Sequence, residues 1–334
     1  MTPRKIAQFE VAPIGLGCMN LSHAYGAPPP ADDAERLLLR ALDAGVTLFD
    51  TAALYGFGAN ETLVGRVLKP HRQRLTLASK GGMAGVTFDD GVKRVIDGSP
   101  AAIRRNCEDS LVRLGTDVID LYYLHRWDPR VPIAESVGAM ADLKRAGKVR
   151  ALGLSEVSAA NLRLAHAEHP IAALQTEYSL WTRNPEIAVL DACRALGVAF
   201  VAFSPLARGF LTGTLQNVAG LGAKDIRRGM PRFQPESYAA NLQLLAGLSE
   251  IARRQGCTLA QLALAWVLAK GVHIVAIPGT THAAHLDENL GAVSVVLDAK
   301  TLAALDALIN PQTVSGARYN PATQAEVNTE EFGA

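Results

Sequence analysis

Eight short apolar segments recur along the chain, and stretches with helical periodicity lie between them. The segments are IGLG, TLFDT, LTLASK, VIDLYYLH, VRALGLS, AALQTEYS, VAFVAFS and HIVAIPG. Most are continuously apolar rather than alternating, which is typical of a parallel strand that is covered on both faces. Eight such strands with helices between them, in a chain of 334 residues, predict an α/β fold of the (β/α)8 TIM barrel type.

A doubly wound sheet is the alternative for alternating strands and helices. It requires a phosphate-binding glycine fingerprint after its first strand. The segment GLGCMN provides the first two glycines, but Asn20 stands where the third glycine would be. Because this fingerprint is incomplete, the barrel is the favoured fold.

Two of the helical stretches carry clear end signals. In ADDAERLLLRALDAG, Asp32 or Asp33 is predicted to be the N-cap before a leucine stripe. In SPAAIRRNCEDSLVRLG, Ser99 is predicted to be the N-cap, Pro100 the first helical residue and Gly115 the stop. Helices of this length between short strands are what a barrel requires.

The composition limits the kinds of partner. Lysine and arginine total 33 and aspartate and glutamate total 32, so the net charge is +1. This balance gives no reason to expect binding to nucleic acid or to an anionic membrane, and a small molecule is the expected partner. The opening MTPRKIAQFE lacks the apolar core of a signal peptide, and no apolar stretch reaches membrane-spanning length, which predicts a cytoplasmic location. The sequence gives no signal for the oligomeric state.

We expect residues 1–334 to form a single domain with two irregular segments. Residues 207–235 are rich in glycine and arginine, and residues 310–334 form a polar C-terminal tail. Long loops in compact domains are often lids or frayed ends. The first segment is therefore predicted to be a cofactor or substrate loop, whereas for the tail both an ordered and a frayed state stay open.

Polar residues stand at the carboxyl ends of the predicted strands, where barrel enzymes assemble their active sites. They are Asp50, Lys80, His125, Ser155, Gln175 and Ser204, and Tyr55 lies one loop-length beyond Asp50. A nearby lysine ammonium is expected to lower the tyrosine pKa from its usual value of about 10. An aspartate would keep that lysine charged, and a histidine could orient the reacting oxygen. Such a set suits proton donation to a carbonyl that is reduced by hydride, or the reverse oxidation of an alcohol.

The same residues allow other interpretations. Asp50 and Lys80 could form a structural ion pair, and Tyr55 and His125 could be packing residues. A catalytic zinc would need three protein ligands. Of the eight histidines only His125 lies at a predicted strand end, and neither HxH nor HExxH occurs, so no metal is predicted.

Several spaced motifs resemble those of the aldo-keto reductase family. They are DTAALYGFGANETLVGRVL, LASKGG, DLYYLHRWD, GLSEVS, LQTEYSLWTRN, FSPLARGFLTG and IPGTTHAAHLDENLGA, and they occur in the order of that family across about residues 5–310. The resemblance implies a barrel with an N-terminal β-hairpin and extra C-terminal helices and loops. It also implies that Asp50, Tyr55, Lys80 and His125 form a catalytic tetrad with Tyr55 as the general acid.

The resemblance further implies a nicotinamide cofactor that lies across the barrel mouth without a Rossmann fold. The residues that would contact this cofactor are Ser155, Glu156, Gln175, Phe203, Ser204, Leu206, Arg208, Gly209, Gly279, Thr280, Thr281, His282, His285, Glu288 and Asn289. Ser155 and Gln175 would meet the carboxamide, and the Phe203 ring would stack on the nicotinamide. The turn after Phe203 would meet the pyrophosphate, and the segment from Gly279 onward would surround the adenosine end.

Three positions depart from the common pattern of the family. Glu156 stands where many members have asparagine, Gly279 where many have lysine, and His285 where arginine is common. In other members the lysine and the arginine usually bind the 2′-phosphate of NADP. NADPH is the expected cofactor, and because this chain has neither cation, NADH is the alternative.

The expected activity is NADPH-dependent reduction of aldehydes or ketones to alcohols. The residues expected at the substrate are Met19, Tyr25, Phe57, Met83 and Trp127, with Arg227, Arg228 and Phe233 reaching from the 207–235 loop. Their apolar and aromatic character favours a carbonyl compound with an apolar body. The alternatives are an NAD-linked alcohol or sugar dehydrogenase, and a cofactor-binding regulatory subunit with little turnover.

Overall fold

The computed structural model describes residues 2–333, and in this range the chain forms a barrel of parallel strands surrounded by helices. The strands are β1 (Arg4–Ile6), β2 (Phe9–Val11), β3 (Leu16–Gly17), β4 (Leu48–Asp50), β5 (Thr76–Gly81), β6 (Met83–Phe88), β7 (Gly91–Ile96), β8 (Ile119–Leu124), β9 (Val149–Ser155), β10 (Ala173–Glu177), β11 (Ala199–Phe203) and β12 (Ile274–Ile277). Eight of them make one parallel sheet in the order β12-β11-β10-β9-β8-β5-β4-β3. The predicted (β/α)8 barrel is confirmed.

A short bridge joins the two edges of this sheet. Ile14 pairs with Ala276 of β12 in parallel register. The Gly15 amide donates to the Ala276 carbonyl oxygen at 2.8 Å, and the Ala276 amide donates to Pro13 at 3.0 Å. Because β3 and β12 are thereby linked, the backbone groups of both edges are paired, as a barrel requires.

The N-terminal hairpin of β1 and β2 covers one end of the barrel. Ile6 pairs with Phe9 at the turn of the hairpin. The buried side chains of Ile6 and Val11 pack in one cluster with residues inside the barrel, among them Leu121 and Val275. Since this end carries the start of each strand, the hairpin leaves the other end, with the strand carboxyl termini, open for a site.

Helices cover the outside of the barrel. They are α1 (Ala31–Asp43), α2 (Ala59–Leu68), α3 (Pro100–Leu114), α4 (Ile133–Arg145), α5 (Ala159–Glu168), α6 (Val189–Leu196), α7 (Pro235–Leu242), α8 (Leu244–Gln255), α9 (Leu259–Ala269), α10 (Ala283–Gly291), α11 (Ala299–Leu308) and α12 (Pro321–Gln324). Their apolar faces and the outer faces of the strands form the larger hydrophobic core. No helix in residues 2–333 is long and apolar enough to cross a membrane.

The predicted helix ends are right for α3 and wrong for α1. The Ser99 side chain accepts a hydrogen bond from the Ala102 amide, Pro100 begins the helix, and Gly115 ends it with a positive φ of 60°. Helix α1 instead begins at Ala31, so Asp32 and Asp33 lie in its first turn. Their carboxylates still interact favourably with the positive helix end, although neither caps it.

Two regions between the predicted elements have structure of their own. The antiparallel pair β6–β7 follows β5 directly and was not predicted from the sequence. Residues 207–235 form three short 3-10 turns, over Ala207–Thr212, Ile226–Gly229 and Pro231–Phe233, before α7 begins. Both segments lie at the open end of the barrel, where their residues reach the cavity described below.

The C-terminal tail packs along the barrel mouth. Asn328 bridges to Val157 in parallel register, and its side chain accepts hydrogen bonds from the Ser158 hydroxyl at 2.9 Å. The Glu330 carboxylate accepts from the Ala159 amide at 2.7 Å. These contacts place the tail against the start of α5.

Candidate active site

A cavity of about 670 Å³ opens at the carboxyl ends of the barrel strands. Asp50, Ser155 and Phe203 line it from the last positions of β4, β9 and β11, and His125 lines it just after β8. Parallel strands bring their carboxyl ends to one face of a barrel, which is why residues far apart in sequence meet here. The strand-end residues predicted from the sequence are therefore brought together.

Tyr55 lines this cavity, and Lys80 lies directly behind it. The Lys80 Nζ donates to the Tyr55 hydroxyl at 3.1 Å and to the Thr51 carbonyl oxygen at 2.9 Å, and it is ion-paired with Asp50. The Lys80 side chain is completely buried behind the wall, whereas Tyr55, 9% exposed, reaches the cavity. The Gln175 amide donates to the second Asp50 oxygen at 2.7 Å, so both oxygens of this buried carboxylate are bonded.

Lys80 stays charged in this environment. Burial alone would lower the pKa of the Lys80 ammonium, but the Asp50 carboxylate and the Tyr55 hydroxyl outweigh burial and raise it. A buried charge is tolerated when a paired and hydrogen-bonded partner accompanies it. The pair therefore keeps a permanent cation next to the Tyr55 hydroxyl.

Lys80 lowers the pKa of Tyr55 as expected, but burial acts in the opposite direction. Burial raises the pKa of the Tyr55 hydroxyl, and the Lys80 charge lowers it by less than burial raises it. Tyr55 is therefore protonated at neutral pH. The Lys80 charge makes the Tyr55 hydroxyl more acidic than it would be if it were buried without a cation nearby.

His125 is neutral. Burial, followed by the charges of Arg126 and Lys80, holds its pKa well below the usual value. Its ring stands edge-on to the Tyr55 ring, with centroids 5.7 Å apart, and its Nδ1 is buried without a hydrogen-bond partner in the described chain. A neutral imidazole in this place can donate one N–H hydrogen bond without adding charge.

Several cavity residues were missed from the sequence. The His23 ring lies 5.5 Å from the Tyr55 ring, and burial lowers the His23 pKa. Arg94 reaches the cavity from β7, and Arg126 reaches it directly after His125. Arg126 follows a predicted strand end and could have been noted, but His23 and Arg94 lie in segments without periodicity.

The predicted cofactor residues line the cavity with one exception. Those at its wall are Ser155, Gln175, Phe203, Ser204, Leu206, Arg208, Gly209, Gly279, Thr280, Thr281, His282, His285, Glu288 and Asn289. The turn after β11 is tightly wound, with positive φ angles at Ser204, Ala207 and Arg208. A cavity of this volume, lined from the strand ends to α10 and with an arginine and a tight backbone turn on its wall, fits an extended nucleotide.

Glu156 is the exception, because it lies outside the cavity. Its backbone has a φ of 58°, and its carboxylate accepts a hydrogen bond from the Glu177 amide at 2.9 Å. Arg318 of the C-terminal tail pairs with the same carboxylate at 2.7 Å. In this structure Glu156 therefore holds the tail.

Arg208 is part of the same polar network. Its Nη2 donates to the Glu177 carboxylate at 2.7 Å and to the Tyr319 hydroxyl at 3.1 Å, and its Nη1 donates to Tyr25 at 3.3 Å. Burial would lower the pKa of Arg208, but the Glu177 charge outweighs burial and raises it. The guanidinium is thus fixed in place at the cavity wall.

The wall at Gly279 is tight. A Cβ atom added there would lie 2.9 Å from the Asn20 Oδ1 and 3.0 Å from the Gly17 carbonyl oxygen. A side chain at this position would therefore require Asn20 or the loop after β3 to shift. By contrast, His285 is exposed on α10, with its ring 5.1 Å from that of His282.

The predicted substrate residues divide into two groups. Met19, Tyr25 and Met83 line the cavity. Phe57 does not line it: it is 53% exposed, and a Cβ atom on Gly85 of β6 would meet its ring. Trp127 is also outside the cavity, and its indole N–H donates to Val131 at 3.0 Å.

The three residues expected to reach from the 207–235 loop also divide. Arg227 lines the cavity, with its guanidinium 5.1 Å from the centre of the Tyr25 ring. Phe233 is buried against the rings of Trp181 and Tyr238 instead. Arg228 lies off the cavity and donates to the Leu221 carbonyl oxygen at 2.9 Å.

Comparison with known proteins bears out the resemblance on which these expectations rest. The model of the aldo/keto reductase family matches residues 13–310. The chain is 43% identical to probable aldo-keto reductase 1 of Glycine max over 314 residues, which are 93% of this chain and 89% of that protein.

Two solved structures extend the comparison. The glycerol dehydrogenase of Gluconobacter oxydans is 28% identical and superposes with a TM-score of 0.86, over 96% of this chain and 98% of that chain. An aldo/keto reductase of Klebsiella pneumoniae, solved in complex with NADP and acetate, is 30% identical with a TM-score of 0.69, over 96% of this chain and 98% of that chain.

Proposed function

The chain belongs to the aldo/keto reductase family of oxidoreductases, and from this premise we propose that it reduces aldehydes or ketones to alcohols with NADPH. One observation carries the proposal: a protonated Tyr55 hydroxyl lies at the cavity wall, 3.1 Å from a buried lysine ammonium. A group that holds a proton next to a fixed cation is suited to protonate an oxygen that gains negative charge.

The residues of the site have separate roles in the proposed reaction. A bound nicotinamide cofactor supplies one hydrogen and two electrons to the carbonyl carbon. Tyr55 gives its proton to the carbonyl oxygen, and Lys80 stabilises the phenolate that remains. Neutral His125 donates a hydrogen bond that orients the same oxygen, and Asp50 holds Lys80 in position.

Ser155, Gln175 and Phe203 would hold the nicotinamide end of the cofactor, and Arg208 would meet its pyrophosphate. These side chains lie on β9, β10 and β11 and on the turn that follows β11, so they form a continuous wall. His282 and His285 at α10 would lie at the adenosine end. The NADP complex of the Klebsiella protein supports NADPH, and the lack of a lysine at 279 keeps NADH as the alternative.

Alcohol oxidation is the second candidate. It is favoured by the similarity to a glycerol dehydrogenase. In that direction the Tyr55 phenolate would accept the proton, and the raised pKa of the hydroxyl keeps the phenolate a minor form near neutral pH. Both directions use the same residues, with Tyr55 as the acid in reduction and as the base in oxidation.

The test is a comparison of two tyrosine variants. Tyr55→Phe removes the proton donor and little volume, so kcat for NADPH-dependent benzaldehyde reduction should fall by about 10²- to 10⁴-fold. Tyr122→Phe is the matched control, because its buried hydroxyl has no hydrogen-bond partner and lies away from the cavity. NADPH oxidation is followed by absorbance, and NADPH and NADH binding by quenching of tryptophan fluorescence.

Retained turnover in Tyr55→Phe would contradict Tyr55 as the acid. Cofactor affinity should change little in this variant, because the hydroxyl is proposed to meet the substrate oxygen. If the wild-type protein binds neither cofactor, the oxidoreductase proposal fails. Tight binding without turnover of any carbonyl compound would instead support a regulatory role.

A further inference from the structure

A guanidinium without a carboxylate partner lies beside the proposed catalytic residues. Arg126 follows His125 directly, lines the cavity and is half-buried. Its Nη1 donates to the His125 carbonyl oxygen at 2.7 Å and to the Ser155 hydroxyl at 3.3 Å. Both acceptors are neutral, so within residues 2–333 these bonds leave the charge of Arg126 without a counterion.

The other arginines of the cavity wall are all paired. The pairs are Arg94 with Glu326, Arg208 with Glu177 and Arg227 with Asp225. A half-buried guanidinium normally gains a carboxylate or phosphate partner, because removing its charge from water is costly. Arg126 is therefore the one cavity arginine in residues 2–333 that has no acidic partner, and we expect it to pair with an anion that is not part of the chain.

The proposed cofactor does not place a phosphate near Arg126. The residues proposed for the pyrophosphate follow β11, and those for the adenosine end follow β12. Strand β8, which leads to Arg126, is four places from β12 in the eight-stranded order and so stands on the opposite wall of the barrel. An anion at Arg126 must then belong to the substrate.

We propose that Arg126 binds a carboxylate of the substrate, and that the preferred substrates are carbonyl compounds that also carry an acidic group. The inference rests on the proposed carbonyl reduction. The carbonyl oxygen would lie at Tyr55 and His125, and the carboxylate would be a second group of the same molecule. The Nε and Nη2 of Arg126 have no acceptor in the described chain, and a guanidinium fork matches a carboxylate in two parallel hydrogen bonds.

The charge of Arg126 reaches the reacting groups. After burial, Arg126 is the next cause that lowers the pKa of His125, and it also lowers that of Tyr55 against the larger effect of burial. Arg126 also follows His125 directly in the chain and lines the same cavity as Tyr55. A substrate carboxylate on Arg126 would therefore share one cavity with a carbonyl group at Tyr55 and His125.

The test measures substrate preference with matched pairs of aldehydes. The probes are 3- and 4-carboxybenzaldehyde and the corresponding formylbenzamides, which have nearly the same shape without the charge. We expect wild-type kcat/KM to favour each acid over its amide. In Arg126→Gln this acid-to-amide ratio should fall by about 10- to 100-fold, the range for a lost charge-assisted hydrogen bond. Taking a ratio cancels any general loss of activity.

Two further variants sharpen the result. Arg126→Lys keeps the charge but not the fork, so the ratio should fall only partway. Arg150→Gln is the control, because Arg150 lies at the opposite end of β9, paired with Asp120 at 3.0 Å, and its loss should leave the ratio unchanged. Circular dichroism checks that each variant is folded.

Several outcomes would overturn the inference. If Arg126→Gln lowers kcat/KM equally for acids and amides, or not at all, the acid-to-amide ratio is unchanged. Arg126 would then only hold Ser155 in position. If Arg126→Gln does not fold, the wild-type ratio decides, and a ratio of one or less contradicts the inference. Reduction of the amides without preference for the acids overturns this inference alone. Reduction of neither overturns the proposed function, and the inference falls with it.

Discussion

Glu177→Gln should destabilise the protein by about 3 kcal/mol at neutral pH, although the change removes almost no volume. The Glu177 carboxylate ends β10 and is 4% exposed. It accepts hydrogen bonds from Arg208 at 2.7 Å, from Tyr319 at 3.0 Å and from Arg318 at 3.2 Å. A glutamine at this position would leave two buried guanidiniums without this shared anion.

The magnitude follows from the pKa of this carboxyl group. Burial alone would raise the pKa of Glu177, but Arg208 and Arg318 outweigh burial and lower it from 4.5 to about 2. At about 1.4 kcal/mol per pKa unit, the ionised form gains about 3 kcal/mol in the folded state. This agrees with the about 3–5 kcal/mol lost when one partner of a buried pair is removed.

The same reasoning predicts a change in midpoint temperature and a pH dependence. An unfolding entropy of about 2.1 cal/mol/K per residue over 334 residues gives about 0.7 kcal/mol/K, so the midpoint should fall by about 4–5 °C. The folded-state pKa is the lower one, so the unfolded chain binds more protons below pH 4.5. The stabilisation is therefore complete above about pH 4.5 and is lost as the pH falls toward 2, with about 2 kcal/mol left at pH 3.5.

Urea unfolding of wild type and Glu177→Gln, followed by circular dichroism at pH 7 and pH 3.5, measures both effects. The difference in unfolding free energy between the two proteins should shrink from about 3 to about 2 kcal/mol. Glu250→Gln is the control, because Glu250 is an exposed carboxylate paired with Arg253 on α8, and its loss should leave the midpoint unchanged. A difference below about 1 kcal/mol at pH 7, or one that does not shrink with pH, would refute the argument.

Two further predictions concern the adenosine end of the proposed cofactor site. His285→Arg should raise the affinity for NADPH relative to NADH by about tenfold, because an exposed guanidinium on α10 could pair with a 2′-phosphate; fluorescence titration measures the ratio, and an unchanged ratio would place that phosphate elsewhere. Gly279→Lys should not improve NADPH binding, since the Cβ of the lysine would lie 3.0 Å from the Gly17 carbonyl oxygen. We expect weaker binding of both cofactors and a loss of about 1–3 kcal/mol in unfolding free energy. An undisturbed fold with tighter NADPH binding would contradict this prediction.

The strand-end residues could be predicted from the sequence because barrel topology alone brings them together. Asp50, His125 and Ser155 need only their place after an apolar run to be assigned to one face. The helix end at Ser99 was also readable, since a serine, a proline and a downstream glycine act locally. At α1 the aspartates lie one and two residues inside the helix, a displacement that local signals do not resolve.

The contacts of the loops and of the C-terminal tail could not be predicted, for a different physical reason. The Arg318–Glu156 ion pair joins residues 162 positions apart in sequence, and no local pattern marks either as a partner of the other. Trp127 and Phe233 resemble pocket residues in sequence, yet one bonds the backbone at Val131 and the other packs into the core. An aromatic residue near a site buries its surface wherever it finds room, and only the packed structure specifies that place.

The polar network around Glu177 connects the C-terminal tail to the wall of the proposed cofactor site. Glu177 contacts Arg318 of the tail and Arg208 of the cavity wall through the same oxygen. Glu156 holds the second arm of the Arg318 guanidinium. Departure of the tail would therefore leave the buried Glu156 carboxylate without its ion-pair partner, while Glu177 would keep only Arg208. The docked tail also adds one hydrogen bond to Arg208, which donates to the Tyr319 hydroxyl at 3.1 Å beside its own ion pair with Glu177. The departure of Glu156 from the usual asparagine thus acts at the tail, and the tail arginine shares the Glu177 carboxylate with the arginine proposed to meet the pyrophosphate.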